Sequence, residues 1–155
     1  TTGDEQVYPV TLYDISSTAV TGTYGIAGIG GQLQVRKPTA NLDVNKNGIA
    51  DFRDVVLVYR SIRLNKTAAA GNLVLTGYDP DGLGAEAIEQ NILDLKDNGL
   101  DVNGNGTPDF RDVVLIYRKI RLGKTAAAGN LVLTGYDPAA IGGEAIEANI
   151  DDILP

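Results

Sequence analysis

The chain of 155 residues contains no cysteine, histidine, methionine or tryptophan, and only two phenylalanines. Without cysteine there are no disulfides, and composition says nothing about the redox state of the surroundings. Without histidine or cysteine, acid-base and nucleophilic chemistry would fall to carboxylates, lysine, tyrosine or serine. No grouping of these forms a catalytic constellation, so the chain is not expected to be an enzyme. The lack of methionine argues against a sensor that opens a Met-rich groove. Positive charge is also scarce: 13 Lys and Arg face 20 Asp and Glu, for a net charge of −7. With no basic stripe, nucleic acid is not an expected partner. Neither a signal peptide nor an apolar run long enough to span a bilayer is expected within these residues. A chain opening on Thr1 rather than Met is expected to be processed or truncated. A chain of this length supports one or two small domains with little core volume, which makes an added source of stability plausible.

What the chain does have is one twelve-residue loop written twice. Asp43, Asn45, Asn47, Asp51 and Asp54 place oxygen-bearing side chains at loop positions 1, 3, 5, 9 and 12, with Gly48 at position 6 and the carbonyl of Ile49 at position 7. Asp101, Asn103, Asn105, Asp109 and Asp112 repeat the pattern, with Gly106 and the carbonyl of Thr107. This is the ligand spacing of an EF-hand loop, and it predicts two Ca²⁺ ions per chain. A hard cation takes six to eight oxygens, and a short loop wraps it only by turning sharply at a residue that accepts positive φ. Aspartate rather than glutamate at position 12 gives a shorter arm, which must draw the next helix closer. Three carboxylates per loop argue for modest affinity, suited to calcium-rich extracellular or cell-surface surroundings. The competing reading is a pair of Asx-rich turns that cap helices.

The loops belong to a longer repeat. Asp101 follows Asp43 by 58 residues, and the match runs through Phe52-Arg53-Asp54 and Phe110-Arg111-Asp112 to Pro80 and Pro138. About three-quarters of the aligned positions are identical, which marks 42–99 and 100–155 as two copies of one unit. After each loop the pattern predicts a helix, with Val55, Val58, Tyr59 and Ile62 on one stripe and Arg60 and Arg63 elsewhere on its surface. Its β-branched content requires packing to hold it. Thr67 to Gly71 can extend or restart helix and end at a glycine cap. A last helix, about Ala85 to Leu95, stripes Ile88, Ile92 and Leu95, with Glu86 and Glu89 at its positive end. Ile146, Ile150 and Ile153 or Leu154 do the same in the second copy.

On these residues the chain resembles the dockerin-like, F-hand calcium repeats of secreted prokaryotic proteins. The resemblance rests on the loop with Asp at position 12, the absence of an obvious entering helix before Asp43, and the apolar helix that follows. It implies a small helical fold held by metal and a modest core, with the loop residues named above as ligands. It also implies a partner read mainly through small polar residues at loop positions 10 and 11, where this chain has Phe52-Arg53 and Phe110-Arg111. The second half of each unit keeps only Asp79-Pro-Asp81-Gly and Asp137-Pro-Ala-Ala, read as a turn and helix cap rather than a further metal loop.

Residues 1–41 read as a strand-rich arm. Tyr8 to Ile15 carries apolar groups on both faces, and Gln32 to Arg36 alternates. Such an arm either folds over its own helical units or pairs with a neighbouring subunit. The expected fold is therefore mostly α with a β N-terminal arm: 1–41, then repeats 42–99 and 100–155. The expected function is a calcium-stabilised extracellular structural protein that self-assembles, as a filament subunit if the arm pairs in trans. The alternative is a docking module for a cohesin-like or other secreted or cell-surface partner. Asn65-Lys-Thr67 matches a glycan acceptor, and the Thr- and Ser-rich stretch from Ser16 to Thr23 suits O-glycans on composition alone.

Overall fold

The computed structural model describes residues 40–155 and, before them, the backbone of residues 25–29 and 32–36. The chain divides into two units, Thr1–Pro38 and Thr39–Pro155. In the first, strands β1 (Gly25–Ile29) and β2 (Gln32–Arg36) pair antiparallel, Ile26 opposite Val35. The expectations for Tyr8 to Ile15 lie outside the described residues.

The second unit is helical, with four helices: α1 (Phe52–Ile62), α2 (Ala85–Asn98), α3 (Phe110–Ile120) and α4 (Gly143–Asp152). None is long and apolar enough to cross a membrane. Helices α1 and α3 are rich in valine and isoleucine, so local propensity alone would hold them poorly. Their starts are instead fixed by capping boxes: the Asp51 carboxylate accepts from Arg53 N, while Asp54, three residues in, accepts from Asp51 N. Asp109 and Asp112 do the same for α3. Loop positions 9 and 12 are thus also the N-cap and N3 of the following helix.

Both copies share a single core. Leu42, Leu57, Leu73, Ile88, Ile92 and Leu95 are fully buried, as are their counterparts from Leu100 to Ile150, with Ile153 nearly so. Each such side chain contributes roughly 1.5–3 kcal/mol of burial relative to exposure. The α2 and α4 stripes lie inward as the spacing predicts, although α2 runs three residues further than Leu95, to Asn98. On α1 the predicted stripe is incomplete. Val55 and Val58 are buried and Tyr59 and Ile62 half-buried, but Leu57, off that stripe, is also fully buried.

Two details differ from the expectations. Arg60 is half-buried rather than a surface residue: its guanidinium bonds the carbonyls of Leu73, at 2.7 Å, and Asn72, pinning the loop that follows α1. Arg118 repeats this on Leu131 and Asn130. The 67–71 stretch forms a turn, not a helix. The Asn72 side chain accepts from Thr67 N and the Thr67 hydroxyl from Ala70 N, offering the backbone local partners in place of a helical ladder.

The first copy does have a helix in the entering position. Leu100 N donates to Leu95 O at 3.0 Å as the chain passes from α2 into the second loop. Leu42 N, the equivalent atom before the first loop, donates to Ile153 O at 2.7 Å. The end of α4 therefore stands to loop 43–54 as the end of α2 stands to loop 101–112.

Candidate metal centres

Each loop is folded around its own oxygens. In the first, Asp43 accepts from Asn47 N (3.1 Å) and Gly48 N (2.9 Å), Asn45 Oδ1 from Asn47 N (3.1 Å), and Asn47 Oδ1 from Ile49 N (2.9 Å). Asp54 reaches back to accept from Asn45 N at 3.2 Å and Asp51 N at 3.0 Å. The second loop repeats every bond. Asp101 accepts from Asn105 N and Gly106 N, Asn103 from Asn105 N, Asn105 from Thr107 N, and Asp112 from Asn103 N and Asp109 N. Gly48 at φ +87° and Gly106 at φ +82° make the turn that the spacing requires.

Positions 1, 3 and 12 are the sheltered ones. Asp43, Asn45 and Asp54 are buried, as are Asn103 and Asp112, while Asp101 is half-buried. Asn47 and Asn105 are half-buried, and Ile49 and Thr107, expected to offer carbonyls, are exposed. Neither Asp54 nor Asp112 has a cationic side chain in direct contact; their hydrogen bonds come from backbone N–H groups, and Arg53 and Arg111 act on them only through space. Burial accordingly pushes the Asp54 carboxyl up, and Asp43 and Asp51 nearby add to the shift. Asp112 is pushed up to about 6, again by burial first, with Asp101 and Asp109 adding to it. A buried carboxylate without a counter-charge in direct contact is costly, and a bound cation offsets that cost.

Asp51 and Asp109, at position 9, are placed differently. Arg53 Nη2 lies 2.7 Å from Asp51 Oδ2, and Arg111 Nη2 lies 2.6 Å from Asp109 Oδ2. Burial raises these carboxyls, but the arginine hydrogen bonds outweigh it and hold both below their ordinary value. Among the described residues no three Asp, Glu, His or Cys groups gather in the manner of a metal cluster. What each loop carries is two carboxylates, at positions 1 and 12, and two amide oxygens, at positions 3 and 5, all accepting from loop backbone N–H groups; oxygen donors of this kind suit a hard cation. Position 9 commonly contributes through a water in such loops, which suits a carboxylate already engaged on one side.

No family model matches the chain, and no curated protein or solved structure matches it.

The residues at positions 10 and 11 are occupied within the fold. Phe52 meets the Tyr78 ring edge-on at 6.3 Å, and Phe110 meets Tyr136 likewise. Arg121, just past α3, lies over the Phe52 ring at 5.3 Å, and Arg63, just past α1, over Phe110 at 5.4 Å. Each copy thus places an arginine over the other's position-10 phenylalanine, and both rings stay part-exposed. Sequence reasoning missed this pairing, because nothing local to Arg63 or Arg121 points to the opposite copy.

The remnants at Asp79 and Asp137 keep half of the loop's geometry. Asp79 accepts from Leu83 N and Gly84 N, the same four- and five-residue spacing that Asp43 uses, and Asp137 accepts from Ile141 N and Gly142 N. They form the expected turn, but the helix N-caps are Gly84 and Gly142. Asn45 Nδ2 donates to Tyr78 O and ties the first remnant to the first loop. The equivalent Asn103 Nδ2 is buried without a partner among the described residues.

Proposed function

We propose that each of the two loops binds one Ca²⁺, and that the chain is a calcium-stabilised structural protein that self-associates outside the cell, its N-terminal arm pairing with a neighbouring subunit. The observation that carries the metal reading is the pair of buried position-12 carboxylates, Asp54 and Asp112, with no cationic side chain in direct contact, each set in a loop that carries further amide and carboxylate oxygens. Asp43, Asn45, Asn47, the Ile49 carbonyl and Asp54 would hold the first ion, with Asp51 acting through water; Asp101, Asn103, Asn105, the Thr107 carbonyl, Asp112 and Asp109 would serve the second. Calcium would supply a positive charge in direct contact with Asp54 and Asp112, which the arginines on Asp51 and Asp109 do not.

Positions 12 and 9 also begin α1 and α3, so metal binding and helix formation are one event rather than two. That supports a static, stabilising role over a signalling one. For assembly the support is the sequence of the arm, apolar on both faces between Val7 and Ile15. The docking-module reading has less behind it, since Arg53 and Arg111 are ion-paired to Asp51 and Asp109 within the chain and positions 10 and 11 lack the small polar residues such docking uses. Electron microscopy of the purified protein in calcium and after chelation tests the proposal. Extended assemblies in calcium that are lost on chelation support it; single particles under both conditions would leave only the metal sites.

A further inference from the structure

Two copies this similar should present two closely equivalent surfaces, and beside α2 they do not. Between the end of α1, the outer face of α2 and the start of α3 lies a cleft of about 420 Å³. Five of its lining positions are ones where the copies differ: Ser61, Asn65, Leu93, Lys96 and Pro108 stand where the other copy has Lys119, Gly123, Asp151, Leu154 and Ala50. In the corresponding place of the second copy, Lys119 bridges from α3 to α4, 2.6 Å from Asp151 and 3.3 Å from Glu147. Ser61 and Leu93 remove both ends of the Lys119–Asp151 bridge and leave a hydroxyl and an aliphatic side chain in its place.

The exchange changes the chemistry of the cleft. Lys96 and Arg63 both line it, and neither forms an ion pair among the described residues; Arg63 rests only on the Phe110 ring. Leu93 is 44% exposed and Phe110 37%. Asp109, the acid in the lining, is held by Arg111. A chain of net charge −7 therefore keeps two cations without an ion pair among the described residues beside exposed apolar side chains. The complementary ligand is a peptide with carboxylates flanking apolar residues.

Residues 4–15 of this chain have that composition: Asp4 and Glu5, then Val7, Tyr8, Val10, Leu12 and Tyr13, then Asp14. We infer that the cleft at Lys96 and Arg63 receives residues 4–15 of a second copy, an inference that rests on the self-association proposed above. The asymmetry between the repeats then has a purpose. One arm per chain needs one receiver per chain for a head-to-tail contact that propagates, and two equal receivers would branch or leave one empty.

The test uses the full chain in calcium. Lys96 is exposed, so Lys96→Glu should leave the fold and its melting unchanged while raising the protein concentration needed for assembly about tenfold or more. A chain carrying Asp4→Lys, Glu5→Lys and Asp14→Lys should fail alone, and mixing it with the Lys96→Glu chain should restore assembly. Carbodiimide coupling in a mixture of isotopically light and heavy wild-type chains should join Lys96 of one chain to Asp4, Glu5 or Asp14 of another. Unchanged assembly of Lys96→Glu, or Lys96 couplings confined to one chain, would overturn the inference and leave self-association standing. A wild-type chain that stays monomeric throughout would overturn the self-association reading itself.

Discussion

Leu42 N donates to Ile153 O at 2.7 Å, joining residues at opposite ends of the helical unit. The bond closes the two copies into a ring in which each twelve-residue loop has a helix before it, α4 for the first and α2 for the second. Ile153 is 3% exposed and belongs to the shared core. Ile153→Ala should cost about 2–4 kcal/mol. Because the core is continuous, calorimetry should record one melting transition for both copies, shifted as a whole. Two transitions, only one of them moved, would mean that the repeats fold separately.

The same side chain limits what can stand at the end of α2. A Cβ placed on Gly99 would lie 2.7 Å from Ile153 Cγ2, closer than packed atoms approach, and that methyl moves only by turning the whole β-branched side chain, which is packed in the core. Gly99→Ala should therefore destabilise by about 1–3 kcal/mol. Pairing it with Ile153→Ala should recover part of the loss, which a double-mutant cycle measures directly.

Acidity should act in opposite directions with and without metal. Burial pushes Asp112 up to about 6 in the fold against 3.8 for the unperturbed group, and pushes Asp54 up as well. Between those values the folded, metal-free chain holds protons that the unfolded chain has lost, so its stability should fall as pH rises from about 4 to about 6 and then level off. In calcium the ionised form is the one bound, and stability should rise through the same window. Denaturant titrations at several pH values, with chelator and with calcium, read both slopes. Parallel slopes would contradict the account of Asp54 and Asp112.

Asp51 and Asp109 carry a structural load apart from any metal. Asp51→Ala removes the N-cap of α1 and half of its capping box, and should cost about 1–2 kcal/mol even in chelated protein. Asp51→Asn keeps a capping oxygen and should cost less. Arg53→Ala should cost less than Asp51→Ala, since the cap bond from Arg53 N is a backbone bond and survives. Equal losses for Asp51→Ala and Arg53→Ala in chelator would place the weight on the ion pair instead.

The turn chemistry of the loops was legible because Asp and Asn side chains bond the backbone a few residues on, and Asp43, Asn45 and Asp54 accept from loop N–H groups around the turn at Gly48. The α2 and α4 stripes were legible for a similar reason: each helix has one partner face, and Ile88, Ile92 and Leu95 mark it. On α1 the periodicity understated burial, because a helix packed on two sides hides residues such as Leu57 that a single stripe leaves outside. Arg60 looked like a surface charge, since its carbonyl partners at Leu73 and Asn72 carry no side-chain signature. The helix before the first loop was invisible for a topological reason: it comes last in the chain, and adjacency in sequence cannot reveal closure.

Calorimetric titration of chelated protein with Ca²⁺ tests the central claim most directly. The account predicts two ions per chain, with Asp43→Ala and Asp101→Ala each removing one, and a melting temperature that rises as the sites fill. No binding heat, together with melting that is the same in calcium and in chelator, would contradict it.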